Sequence, residues 1–200
     1  MSEFSYSVQL AQKLIRCPSV TPEEAGTLDL LENELKQIGF ICTRLLFGEG
    51  KEMVDNLYAE FGEGPPHFAF AGHVDVVPVG RLADWRFSPF QAEIKDEILY
   101  GRGSADMKSG IAAFISAIRQ WQQSTNSKTK ISLIITGDEE AEAINGTSKI
   151  VEWMRNGTWS KNKNYGEGSK NKPGFPKQPG WFEDARGFFN IEKGLRKVGF

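Results

Sequence analysis

A chain of 200 residues, 40% hydrophobic and 12% aromatic, can bury the core of one α/β domain and does not by its length demand two. A net charge of −2 and an isoelectric point near 5.8 supply no basic field, which argues against nucleic acid or an anionic membrane as partner. The start MSEFSYSVQLAQKL lacks the basic stretch and long apolar run of a secretory signal, and no apolar run reaches membrane-spanning length, so a cytoplasmic protein is expected.

In chain order, the first element is SVQLAQKLIRC, where Val8, Leu10, Ala11, Leu14 and Ile15 form a helical stripe that Pro18 stops. Cys17 and Cys42 share no CxxC spacing, so both read as small buried hydrophobes and not as parts of a disulfide framework or a cysteine-rich zinc site. In TPEEAGTLDLLENELKQIGF, Thr21 is placed to cap a helix, Pro22 suits its first position, and Glu24 completes a capping box. Leu28, Leu31, Leu35 and Ile38 then recur at helical spacing up to Gly39.

FICTRLLF, NLYAEF and HFAFAGHVD read as strands, the last two joined by the turn-rich GEGPP. After a loop containing Trp85 and Pro89, QAEIKDEILYGRG reads as a hairpin. MKSGIAAFISAIRQW follows as a helix with Ile111, Phe114, Ile115 and Ile118 facing the core. KISLIITGDEE is a strand whose nearly continuous apolar run predicts burial on both sides, and NGTSKIVEWMR is a helix behind it. Strands alternating with helices of crossover length predict an α/β fold, a mixed open sheet with helices on both faces. Ligands of such sheets gather beyond the carboxyl ends of the strands.

From residue 156 the character changes. The last 45 residues hold 8 Gly, 7 Lys and 2 Arg against 4 acids, with Ile191, Leu195 and Val198 as the only aliphatic core formers. The acidic excess therefore lies entirely in residues 1–155, and the tail reads as loop or disorder.

Three groups with metal-binding chemistry follow apolar strands or hairpins. They are His73 with Asp75 two residues on, Asp106 in GRGSADMKSG, and the adjacent Glu139 and Glu140 in TGDEE. One imidazole with several carboxylates suits zinc, cobalt or manganese, and leaves positions open for water. A hydrolase site of this kind needs a bridging carboxylate, terminal ligands and a free carboxylate as general base. Asp106, just before a helix, suits the bridge. His73 suits a terminal ligand, with Asp75 holding the imidazole's other nitrogen. The side chains of Glu139 and Glu140 diverge, so one can bind metal while its neighbour faces the water. Taken singly, an HxD is common by chance and a DEE is usually a solvated face, so only the joint occurrence points to a metal site. GRGSAD has Asp106 where a phosphate-binding GxGxxG has its last glycine, which argues against a nucleotide. His67, just after Pro66, reads as plain surface.

AGHVDVVPVG, then Trp85 and SPF, then LYGRGSADMKSGIAAF, then GDEEAEAINGT resemble the metal-dependent amidohydrolase and aminopeptidase family that includes deacetylases, aminoacylases and desuccinylases. The resemblance covers roughly residues 8–154, and LAQKLIRCPSVTPEEAGTLDLL and AINGT are most like its desuccinylase branch. It implies a zinc-peptidase-like catalytic domain, incomplete here, with two divalent cations, zinc or cobalt. It further implies that His73 binds one metal, Asp106 bridges two, Glu140 binds the second, Glu139 is the general base and Asp75 orients His73. A non-proline cis peptide after Asp106 is also implied. The implied reaction is cleavage of N-succinyl-LL-2,6-diaminopimelate to succinate and LL-2,6-diaminopimelate, a step toward lysine, with an acetylornithine deacetylase-like activity as the alternative.

The family pattern continues past 200 residues, with a later glutamate in a GEP-type motif, an inserted dimerisation domain that suggests a homodimer, and a histidine near the C-terminus. No histidine follows His73. Glu167, in YGEGS, lies near the expected distance for the missing glutamate, but its Lys/Asn-rich flanks do not resemble a buried strand. The expectation is a partial metallohydrolase catalytic domain at 1–155 and an atypical tail at 156–200, arising from a frame shift or truncation. Two function classes stay open: a metal-dependent N-acyl amide hydrolase acting on a small molecule, or an inactive remnant serving at most as a binding module.

Overall fold

The computed structural model describes residues 5–124 and 129–156. The chain divides into two units between Val151 and Glu152, within the last described helix, and the sheet, the core and the site all belong to the first unit. Its elements are α1 (Tyr6–Ile15), α2 (Thr27–Gln37), β1 (Ile41–Phe47), β2 (Val54–Phe61), β3 (His67–His73), β4 (Glu93–Lys95), β5 (Ile98–Tyr100), α3 (Lys108–Ser124), β6 (Lys130–Thr136) and α4 (Thr147–Asn156).

Four strands form a mixed sheet in the order β1-β2-β6-β3. β1 and β2 are antiparallel, as are β2 and β6, whereas β3 and β6 run parallel, with His73 in register with Thr136. A parallel pair needs a long crossover, because the chain must return to the starting edge of the sheet. The hairpin β4–β5 and helix α3 provide it. Within the hairpin, Asp96 and Glu97 both take positive φ, 53° and 63°, the backbone of a type I′ turn.

The apolar run of β6 is buried from Ile131 to Thr136, as its composition predicts for an interior strand. On one face, Leu57, Ala59, Leu133 and Ile135 meet Leu10 and Leu14 of α1, Leu28, Leu31 and Leu35 of α2, and Ile111 and Ile115 of α3. On the other face Tyr58, Ile134 and Thr136 are equally buried, and so is Ile150 of α4. Each buried Leu or Ile contributes about 1.5–3 kcal/mol relative to exposure, so the helical stripes and the central strand account for the layering. Cys17 and Cys42 are free and half-buried, less enclosed than expected.

Three predicted boundaries are corrected: β3 ends at His73 and β6 at Thr136, short of the acids read into them, and the second helix starts late. The second helix starts at Thr27, not just after Thr21. Val20 bridges Val76, and the Thr21 amide donates to the Val76 carbonyl, which ties this segment to the chain beyond β3. Ala25 and Gly26 then take positive φ, 50° and 78°, where a right-handed helix cannot start. Thr21 forms no cap. Glu24 does the capping, its Oε2 accepting the Leu28 amide at 2.9 Å.

Candidate metal centre

Three chemically active segments meet at one edge of the sheet because of how β3 and β6 run. These strands are parallel neighbours, so their carboxyl ends lie side by side. His73 is the last residue of β3, and Glu139 and Glu140 follow the end of β6 by three and four residues. α3 begins its crossover at that same edge, and Asp106 lies two residues before it. Met107 locks this start in place. Its Sδ is 3.4 Å from the His73 amide, and a Cβ on Gly72 would come within 2.9 Å of its methyl carbon. A larger residue at position 72 would press on the flexible end of the Met107 side chain, which would have to move aside.

The structure brings His73, Asp106 and Glu140 together, with one potential ligand atom from each lying within 4.8 Å of the others. His73 Nε2 is 3.1 Å from Asp106 Oδ1 and 3.7 Å from Glu139 Oε2. The imidazole is buried, while the Asp106 and Glu139 side chains are 73% and 55% exposed. The centre thus has a protein floor and an open mouth. The Asp106–Met107 peptide is cis, as the resemblance implied.

Asp75 is fully buried and does more than was expected of it. The strand ends at His73, so side-chain alternation does not hold Asp75 beside the imidazole. His73 Nδ1 lies 3.0 Å from the Asp75 backbone carbonyl and 3.4 Å from its carboxylate. That carboxylate accepts the Glu139 amide, at 3.2 and 3.0 Å to its two oxygens, and the Glu140 amide at 2.9 Å. Asp75 therefore ties the carboxyl end of β3 to the loop after β6.

Burial of the His73 imidazole disfavours its charge, but the Asp75 carboxylate and carbonyl, together with the charges of Asp75 and Glu139, outweigh this and raise its pKa to about 9. Burial likewise opposes ionisation of Asp75, but His73 and the two amides hold its carboxyl below the usual range. Glu140 is pushed upward chiefly by burial; His73 opposes this, and the nearby charges of Asp106, Glu139 and Asp75 add to the rise. Four carboxylates around one imidazole leave an excess of negative charge, which a divalent cation relieves. The donor set, imidazole and carboxylate oxygen without thiolate, suits zinc, cobalt or manganese.

A family model, Peptidase family M20/M25/M40, matches residues 69–181, a span that includes all five of these residues. The chain belongs to peptidase family M20/M25/M40. It is 54% identical over 149 residues to the succinyl-diaminopimelate desuccinylase of Rhodospirillum centenum, an alignment covering 74% of this chain and 39% of that protein. It is 53% identical over 149 residues to the enzyme of the same name from Beijerinckia indica, again covering 74% of this chain and 39% of the relative. The chain thus spans about two-fifths of the length of the curated relatives it matches. An M20 family metallo-carboxypeptidase from Sulfolobus solfataricus has the same fold, with a TM-score of 0.68 at 21% identity, over 76% of this chain and 35% of that one.

Two residues of this M20 chain with a bearing on the site escaped the sequence reading. Lys108, at the start of α3, is fully buried and donates to the Leu14 and Cys17 carbonyls at 2.9 and 2.7 Å. It closes the end of α1 and anchors the segment that carries Asp106, and burial pushes its pKa down to about 8. Asp138, the first acid of the DEE run, is buried, and its carboxylate accepts from the backbone amides of Ala143 and Asn145 in its own loop. A buried acid or lysine beside an apolar element was the available signal, but in sequence it cannot be told from a solvated one. His67 is exposed at the opposite end of β3, its Nε2 2.9 Å from Ser132 Oγ. Glu167 lies outside the described residues. Among the described residues, no helix is long and apolar enough to cross a membrane.

Proposed function

We propose that this M20-family chain carries the catalytic part of a metal-dependent hydrolase that cleaves N-acylated amino acids, with N-succinyl-LL-2,6-diaminopimelate as substrate. The convergence of His73, Asp106 and Glu140 within 4.8 Å carries this proposal. The 54% identity to a succinyl-diaminopimelate desuccinylase supports the choice of substrate. Residues 1–155 form the partial catalytic domain and 156–200 the atypical tail. The partner is a small N-acyl amino acid in the cytoplasm.

His73, Asp106 and Glu140 would hold divalent cations, zinc or cobalt, with exposed Asp106 placed to bridge two. Such cations polarise an amide carbonyl and acidify water. The chain's own residues supply the rest. Asp75 fixes the backbone of Glu139 and Glu140, and the Asp75 carbonyl orients His73. Glu139, the more exposed of the adjacent pair, takes the proton of the attacking water and returns it to the departing amine, releasing succinate and the free amino group.

The test has two arms. Titration of the 200-residue chain with Co2+ is expected to show saturable binding that His73→Ala abolishes; no binding by the unaltered chain removes the metal assignment. Hydrolysis is then compared on N-succinyl-diaminopimelate and N-acetylornithine. Turnover of the succinyl substrate that falls about 10²–10⁴-fold in Glu139→Gln is expected, whereas preference for the acetyl substrate would replace the substrate assignment.

A further inference from the structure

We propose that Asp138 is a positioning residue whose buried carboxylate folds the loop after β6 back on itself and so sets the backbone from which Glu139 and Glu140 reach His73 and Asp106. Unlike its two acidic neighbours, Asp138 is only 7% exposed. Its Oδ1 accepts the Ala143 amide at 3.2 Å and its Oδ2 the Asn145 amide at 2.9 Å, so both oxygens are engaged within the loop. Its own amide donates to Thr136 Oγ1 at 3.0 Å, fastening the turn to the end of β6.

The far end of the loop is fastened as well. The Asn145 carbonyl accepts from Asn56 Nδ2 of β2 at 3.1 Å, and Asn145 Nδ2 donates to the Glu52 carbonyl at 3.0 Å. Gly146 closes the ring, since a Cβ there would collide with the Asp138 carbonyl and lie 2.5 Å from Thr136 Oγ1. Residues 136–146 thus form a loop with Asp138 inside it. Asp75 holds the Glu139 and Glu140 amides from outside. Glu139 and Glu140 thus lie in a loop that Asp138 closes at Ala143 and Asn145, with their own amides bound by Asp75.

A carboxylate is needed because two separate N–H groups each require an acceptor. An asparagine offers one oxygen and turns an N–H donor toward the other amide. An Asp138→Asn change, similar in size and shape, is therefore expected to open the loop in part, and Asp138→Ala fully. The chemical purpose rests on the metal assignment of the preceding section, but the backbone readout does not.

The test is amide hydrogen exchange on the metal-free 200-residue chain, followed by Co2+ titration. In Asp138→Ala the amides of Ala143 and Asn145 are expected to exchange at least ~10-fold faster as their acceptors vanish. The amides of Glu139 and Glu140 should also speed up, although their own acceptor, Asp75, is untouched. Co2+ affinity should fall about 10–100-fold, as for loss of groups that orient ligands, with an altered visible spectrum of the bound ion. Asp138→Asn should fall between, and it provides the same readouts if the alanine variant does not fold. Unchanged exchange at Glu139 and Glu140 overturns the proposal, because the loop would then hold its shape without Asp138. If the unaltered chain binds no Co2+, the metal assignment fails, and exchange at those two amides alone decides the role of Asp138.

Discussion

At the scale of single residues, the site is organised by carboxylates that bind backbone amides. Asp75→Asn leaves the Asp75 carbonyl in place for His73 Nδ1, but replaces an acceptor of the Glu139 and Glu140 amides with a donor. The expected result is a loss of about 1–3 kcal/mol of stability, read by urea unfolding, and a 10–100-fold weaker Co2+ affinity, read by calorimetry. Glu34 gives a separate, pH-dependent prediction. Its burial opposes the charge, but hydrogen bonds from Lys13 and Tyr6, each 2.8 Å, hold its pKa below the ordinary value of 4.5. A lowered carboxylate pKa stabilises the fold above the ordinary value, and that stability is lost as pH falls through the folded value. Melting temperatures measured on a pH series below 4.5 should fall less steeply for Glu34→Gln than for the unaltered chain.

At the scale of elements, Lys108 joins two helices distant in sequence, donating from the first turn of α3 to carbonyls at the end of α1. Lys108→Met keeps the apolar stem but leaves two carbonyls unpaired, and should cost about 3 kcal/mol, seen as a lower urea midpoint. The β4–β5 turn offers the opposite sign. Glu97 sits at φ 63°, where an L side chain costs about 1–2 kcal/mol. Glu97→Gly relieves that, and since the relief exceeds the roughly 0.5–1 kcal/mol cost of glycine's greater freedom in the unfolded chain, the melting temperature is expected to rise.

At the scale of the whole molecule, a ligand that binds only the folded state stabilises it by mass action. With Zn2+ at about 100 times its dissociation constant, the chain should gain about 2.7 kcal/mol. Thermal unfolding would show this as an upward shift that a chelator reverses and that is missing in His73→Ala. This expectation concerns a chain spanning 39% of the length of a desuccinylase relative, and it depends on the proposed binding by His73, Asp106 and Glu140, which converge within the described residues.

Much of this organisation was determined by the sequence alone. The stripes of α1 and α3, the continuously apolar β6, and the placing of His73, Asp106, Glu139 and Glu140 just beyond apolar segments are local patterns. The parallel pair β3 and β6 turns such patterns into one site, because it brings two carboxyl ends to a single edge. Only the tertiary structure decided that α2 starts at Thr27, since Val20 and Thr21 are held by Val76, far along the chain. It also decided where the Asp75 carboxylate points, at amides 64 and 65 residues away, and that Lys108 closes a helix 91 to 94 residues back. Each of these bonds ends on a backbone group, which every residue carries, so no spacing of residue types announces them before the chain has folded.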